Sequence, residues 1–237
     1  DARDNYLKAA HEANPDAGLA IGVTQAELQL AHRQTEQALA TLTHLHTVSP
    51  KHDYVTMLLA RAYHELGDWD ALVELLPDVR RKKLLNSSRL REMELDGYAG
   101  VLRLAENNQQ DFESIWEKIP KELQGNSRLL RCYLGRFADK GWYGGSAEQT
   151  LLKSLNRQWD DDLIEVYGRF QARDATTQMT RMEKWLDDYG HNEQLLLALG
   201  RTAMRARLWG KAQGYFEASI GARATAAACL GLAELLE

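Results

Sequence analysis

Apolar residues recur at intervals of three and four along most of this chain, which is the period of amphipathic helices. Leu90, Met93, Gly97, Val101 and Leu104 form one such stripe, predicting a long helix over Ser88 to Glu106. Further helices are predicted over Asp111–Ile119, Ser127–Lys140, Asp162–Ala172 and Thr177–Tyr189. No Val/Ile/Thr-rich alternating run reads as a strand. Thr24 with Glu27, and Ser146 with Gln149, have the spacing of capping boxes, so helices are expected to open there. Gly67-Asp68 predicts a turn before Trp69, Pro77 is expected to stop or kink the next helix, and Gly141 to Gly145 reads as a loop. Gly97 and Gly100 are expected to admit a close helix contact.

Small and large apolar residues also repeat over a longer range. Near the end stand Leu196-x2-Leu199-Gly200-x2-Ala203 and Ala212-x3-Phe216. Thr56-x2-Leu59-Ala60-x2-Tyr63 falls in the same slots, followed by Gly67 and Leu72-x3-Leu76; Ala38-x3-Leu42, closed by Pro50, is a partial copy. Ala38 and Leu72 lie 34 residues apart, the tetratricopeptide period. Leu59 and Leu199 lie 140 apart, which is out of phase. The expected fold is therefore all-α: a tetratricopeptide-like superhelix of helical hairpins with irregular middle helices. Residues 1–83 would hold the first hairpins, 84–190 the irregular middle and 191–237 the last repeat, in one continuous array. Gly200 should sit at a close helix approach, with Ala212 across from it.

Both ends read as half-repeats. Tyr6, Leu7, Ala9 and Ala10 share a helical face closed by Pro15; Ala224 to Leu236 puts Leu230, Gly231 and Glu234 in the slots of Leu199, Gly200 and Ala203. The expectation is a fragment cut from a longer protein, whose uncovered apolar faces make it self-associate.

With 29 basic and 34 acidic residues the net charge is −5, which argues against nucleic acid as a partner. Apolar runs such as Leu195–Leu199 fall far short of a membrane span. Two cysteines, Cys132 and Cys229, indicate no disulfide framework. His44 and His46, two apart on a helix, point in different directions and cannot chelate one ion. Gly141 to Ser146 lacks the Gly-Lys-Ser/Thr ending of a phosphate loop, and no Gly-x-Ser-x-Gly elbow or dinucleotide-binding glycine motif is present. Asp160-Asp161-Asp162 reads as an acidic helix start. The six tryptophans read mostly as packing residues, with Trp69 and Trp209 in equivalent positions. Arg80-Arg81-Lys82-Lys83 is the clearest charge cluster, read as a solvated helix face or a contact for an anionic membrane or acidic partner. No catalytic constellation or metal site is expected, so the chain reads as a non-enzyme.

Taken in order, Gly67-Asp68-Trp69-x2-Leu72-x3-Leu76-Pro77, the basic helix, Leu195-Leu196-x2-Leu199-Gly200-Arg201 and Leu208-Trp209-x2-Ala212-x2-Tyr215-Phe216 resemble the carboxy-terminal helical region of HemY-type proteins. These are tetratricopeptide proteins associated with heme biosynthesis in proteobacteria. The resemblance implies a protein–protein scaffold, the soluble part of a protein held in the inner membrane of a Gram-negative bacterium by an amino-terminal anchor absent here, with this region in the cytoplasm. It implies heme-biosynthesis enzymes as partners in a late step of protoheme synthesis, and no resident cofactor. A heme or porphyrin carrier is the alternative, with His64 as candidate ligand; an enzyme of the heme pathway is a third reading.

In such arrays the first helix of each hairpin faces the binding side. Its outward slots would hold Tyr54, Met57, Arg61 and His64, then Gln194, Leu197, Arg201 and Arg205. The expected partner-binding residues are Arg61, His64, Arg201 and Arg205, able to receive an acidic peptide or a partner helix, or else to pair with glutamates of the array itself.

Overall fold

A computed structural model describes residues 15–105 and 108–237. The described residues form helices and connecting turns, with no strand. The chain divides into two compact units, Asp1–Leu104 and Ala105–Glu237.

The first unit contains α1 (Pro15–Ala31), α2 (Thr35–Val48), α3 (Asp53–Leu66), α4 (Trp69–Arg81) and α5 (Ser87–Leu104). Successive helices pack on one another, and α3 also touches α1 and α5. The repeat slots are the core: Ala38, Leu42, Leu59, Ala60, Leu72 and Leu76 are all buried. Each buried leucine contributes roughly 1.5–3 kcal/mol. Gly100 lies under the indole of Trp69, where a Cβ would come within 2.2 Å, so the expected close approach is real. The cap of α3 is Gly67 at φ 72°, a left-handed conformation that suits glycine. Asp68 then caps α4, its carboxylate accepting the Ala71 N–H.

The second unit contains α6 (Gln109–Lys118), α7 (Lys121–Gln124), α8 (Ser127–Lys140), α9 (Gly145–Arg157), α10 (Asp161–Arg169), α11 (Ala175–Tyr189), α12 (Glu193–Arg205), α13 (Trp209–Ala222) and α14 (Ala226–Leu236). Here α8, α10, α12 and α14 pack side by side, and α9, α11 and α13 are the returning arms of their hairpins. Gly168 meets the backbone of Ala198, and Gly200 and Gly231 both meet the ring of Phe216. Gly200 is thus at a close approach as expected, but the group facing it is Phe216 rather than Ala212.

From α3 onward the first helices begin at residues 53, 87, 127, 161, 193 and 226. The steps are 34, 40, 34, 32 and 33 residues. The irregularity expected in the middle is therefore concentrated in one long step, which holds the short helices α6 and α7.

Several local expectations are corrected. Thr24 lies inside α1 and its hydroxyl donates to the Ala20 carbonyl, so it caps nothing. Ser146 lies inside α9, whose N-cap is Gly144 with no side-chain cap. Helix α4 continues through Pro77 to Arg81, because Leu76 and Val79 on either side are buried and their packing offsets the missing hydrogen bond. Pro15 stands at the start of α1; Tyr6, Leu7, Ala9 and Ala10, and the helix expected over them, lie outside the described residues. Trp69 and Trp209 both open the second helix of a hairpin, as expected, but Trp209 is 55% exposed and is not a packing residue.

Candidate functional site

The first helices of the first unit enclose a groove of about 280 Å³. Tyr54, Met57 and Arg61 line it from α3, spaced so that they share one helix face. Glu27 and Leu30 come from α1, and Arg89 and Met93 from α5. The floor is apolar: Leu30, Leu58 and Met93 are buried. Both arginines stand about half-exposed on the rim. Arg61 Nε donates to Glu65 Oε1 at 2.8 Å, four residues on, and Arg89 Nη1 to Glu92 Oε2 at 3.3 Å. Exposed pairs of this kind contribute at most about 1 kcal/mol, so either guanidinium can exchange its carboxylate for another at little cost. The Tyr54 hydroxyl donates to Glu27, and that bond, with burial and the Glu27 charge, raises the phenol above its ordinary pKa.

His64 faces elsewhere. Its Nε2 lies 2.7 Å from Asp96 Oδ2 on α5, and its ring stands edge-on to Trp69 on α4, with centroids 5.8 Å apart. It ties three helices together. In the second unit Arg201 Nη1 reaches Glu165 Oε1 on α10 at 2.9 Å, the array-internal pairing left open by the sequence. Arg205 donates to Gly168 O at 2.8 Å, Phe170 O at 3.1 Å and Gln178 Oε1 at 3.3 Å. Gln178 Nε2 meanwhile donates to Tyr167 O at 2.7 Å. Together they satisfy carbonyls at the end of α10 that have no helical partner. Burial, and then the charge of Arg201, lower the Arg205 pKa to about 10. Leu197, expected to face outward, is buried.

Of the four arginine and histidine candidates, Arg61 lines this groove, while His64, Arg201 and Arg205 are engaged with partners in their own units. Arg61 and His64 belong to the first unit, Arg201 and Arg205 to the second. The basic run is largely neutralised in place. Arg80 makes a two-pronged contact with buried Glu94, 2.8 Å at each prong, Arg81 pairs with Asp78 at 2.7 Å, and Lys82 with Asp53 at 3.0 Å. Asp160 caps α10 through the Leu163 N–H, as the acidic helix start predicts. No group of three or more His, Cys, Asp or Glu suited to a metal ion occurs among the described residues, and no helix among them is long and apolar enough to cross a membrane.

Sequence reasoning missed Arg89 and Met93. Met93 stands 34 residues after Leu59, and Gly97 34 after Tyr63, so one more step of the period finds this helix. Glu94 in the slot of Ala60 hides the match, because its carboxylate is buried only by pairing with Arg80.

The chain is similar to HemY along its whole length. It is 22% identical over 240 residues to Protein HemY of Escherichia coli strain K12, and equally to Protein HemY of Escherichia coli O157:H7 and of Shigella flexneri. Each alignment takes in all of this chain and 60% of the relative, so the chain spans about three fifths of the proteins it matches. No protein-family model matches the sequence. The resemblance drawn from the order of the motifs thus holds in direct comparison.

Proposed function

We propose that this chain is the interaction region of a membrane-anchored scaffold acting in a late step of heme biosynthesis. Its groove between α1, α3 and α5 would dock an acidic, amphipathic segment of a partner enzyme. The observation that carries the reading is a pair of half-exposed guanidiniums, Arg61 and Arg89, above an apolar floor. Apolar anchors of an incoming helix would fill the floor and its carboxylates would meet the rim. A charge-assisted contact of this type contributes roughly 1.5–3 kcal/mol where desolvated. The heme-pathway setting rests on the similarity to proteins named HemY.

A photo-crosslinking residue at Met57 tests the reading in membrane extracts of the source bacterium. The unmodified rim should capture a discrete partner, and Arg61→Glu with Arg89→Glu should cut capture at least tenfold, since 1.4 kcal/mol is a factor of ten. Full capture by a charge-reversed protein with an unchanged melting curve would refute the groove as the docking site. The carrier reading has one observation in its favour, the thioethers of Met57 and Met93 over the same apolar floor. Saturable protoporphyrin binding that Met93→Ala abolishes would favour it over docking.

A further inference from the structure

The second unit holds a different cavity, of about 360 Å³, between α6, α7, α8 and α9. Glu113 and Glu117 line it from successive turns of α6, and Tyr133 from α8. Tyr133 is only 2% exposed, and its hydroxyl has no hydrogen-bond partner among the described residues. The oxygen is not among the fully buried polar atoms, so the ring is buried while the hydroxyl opens on the cavity. The ring itself is immobilised: it stacks on Trp116 with centroids 4.1 Å apart, and on Phe112 at 5.5 Å from the other side. The hydroxyl is therefore held in position at the cavity rather than free to turn away.

The carboxylates are also incompletely used. Glu113 accepts one bond, from Gln109 Nε2 at 2.9 Å, and Glu117 has no ion-pair partner among the described residues. Burial, and then the charges of Glu113 and Glu117, push the Tyr133 phenol above its ordinary pKa, so the field at the hydroxyl is negative. Thr150 and Gln124 add oxygen acceptors to the lining. Their own donors are engaged, Thr150 Oγ1 with Ser146 O and Gln124 Nε2 with Trp116 O and Ile119 O. The lining is thus rich in acceptors and negative in charge, with Lys121 as its one cation.

We propose that this cavity binds a guanidinium or ammonium group, with Glu113 and Glu117 taking its charge and the Tyr133 oxygen accepting one of its N–H bonds. Two carboxylates a helical turn apart suit the forked donors of a guanidinium. Lys121 competes for the same carboxylates from the rim.

The test is calorimetric titration of the full chain with three probes: a blocked peptide bearing one arginine, the same peptide with citrulline, which keeps the shape and loses the charge, and methylguanidinium. Indole resonances, with Trp116 assigned through Trp116→Phe, report the location. The arginine peptide should bind saturably and shift the Trp116 signal, and citrulline should not. Glu113→Gln with Glu117→Gln should weaken binding at least tenfold. Tyr133→Phe, which keeps the ring stack, should weaken it several-fold, and Lys121→Ala should tighten it. Stronger binding of the peptide than of methylguanidinium identifies an arginine side chain of a partner protein as the source; equal binding identifies a free cationic metabolite. The proposal is overturned if citrulline binds equally, if the double glutamine variant binds undiminished, or if no probe saturates by about 1 mM.

Discussion

Gly200→Ala should destabilise this protein, although alanine is the better helix former by ~1 kcal/mol. A Cβ on Gly200 would stand 2.6 Å from both Cδ1 and Cε1 of Phe216 and 3.0 Å from Cζ. Carbon atoms pack best at about 3.5–4.0 Å, so the ring would have to retreat by roughly 1 Å. It has nowhere to go. Phe216 is fully buried, and the space over Gly231 is already taken, since a Cβ there would be 2.7 Å from Cε1 of the same ring. Overpacking a well-packed core costs ~1–3 kcal/mol. With the ring held on both sides the upper part of that range applies, leaving a net loss of about 1–2 kcal/mol after the propensity gain. Gly135 on α8 is the control: nothing lies within 4 Å of its Cβ position, so Gly135→Ala should stabilise by up to ~1 kcal/mol. Urea unfolding of both variants reads the two signs. Phe216→Leu in each background completes a double-mutant cycle, and the Gly200 pair should couple by ~1 kcal/mol or more. The same sign at both glycines, or additivity in the cycle, would refute the wedge.

Arg205→Met should lose about 1–3 kcal/mol, because the Gly168 carbonyl is left without its donor while Phe170 O keeps only the longer bond from Gln178 Nε2; Arg205→Lys should recover less than half, lacking the fork, and urea unfolding checks both. Burial is the leading cause that raises the pKa values of Tyr133, Tyr167 and Tyr215 above the ordinary 10.0. Their contribution is fully present below the unfolded pKa and is lost as pH rises beyond it. Melting temperature should therefore fall above about pH 10, and Tyr133→Phe should make that fall shallower across an alkaline pH series.

The elements that sequence reasoning located well are those whose signal is local. Helix α8 begins at Ser127 and ends at Lys140, as its apolar stripe predicts, and Gly141 ends it at φ 64°. The turns within hairpins show where such signals stop. Arg33, Gly67, Gly141 and Arg207 all adopt φ between 58° and 72°. Glycine announces that conformation and arginine conceals it, so two of the four turns were invisible. Likewise Ser146 and Thr24 have the spacing of caps, but a capping box is only a pair of side chains, and packing decides where a helix begins.

The periodic stripes and the 34-residue recurrence were enough to determine an all-α chain of hairpins, because burying one face of each helix needs only the right residue every third or fourth position. They also put Arg61 on an outward face. Tertiary structure alone assigned the charges their roles. Arg61, Arg201 and Arg205 look alike in sequence, but one rests on a groove, one on Glu165 and one on the carbonyls closing α10. A guanidinium takes its role from whichever acceptors other helices bring within about 3 Å, and those acceptors lie more than thirty positions away for Arg201 and Arg205. The cavity beside Tyr133 was hidden for the same reason: no spacing along the chain records that four helices bring a tyrosine and two glutamates to one lining.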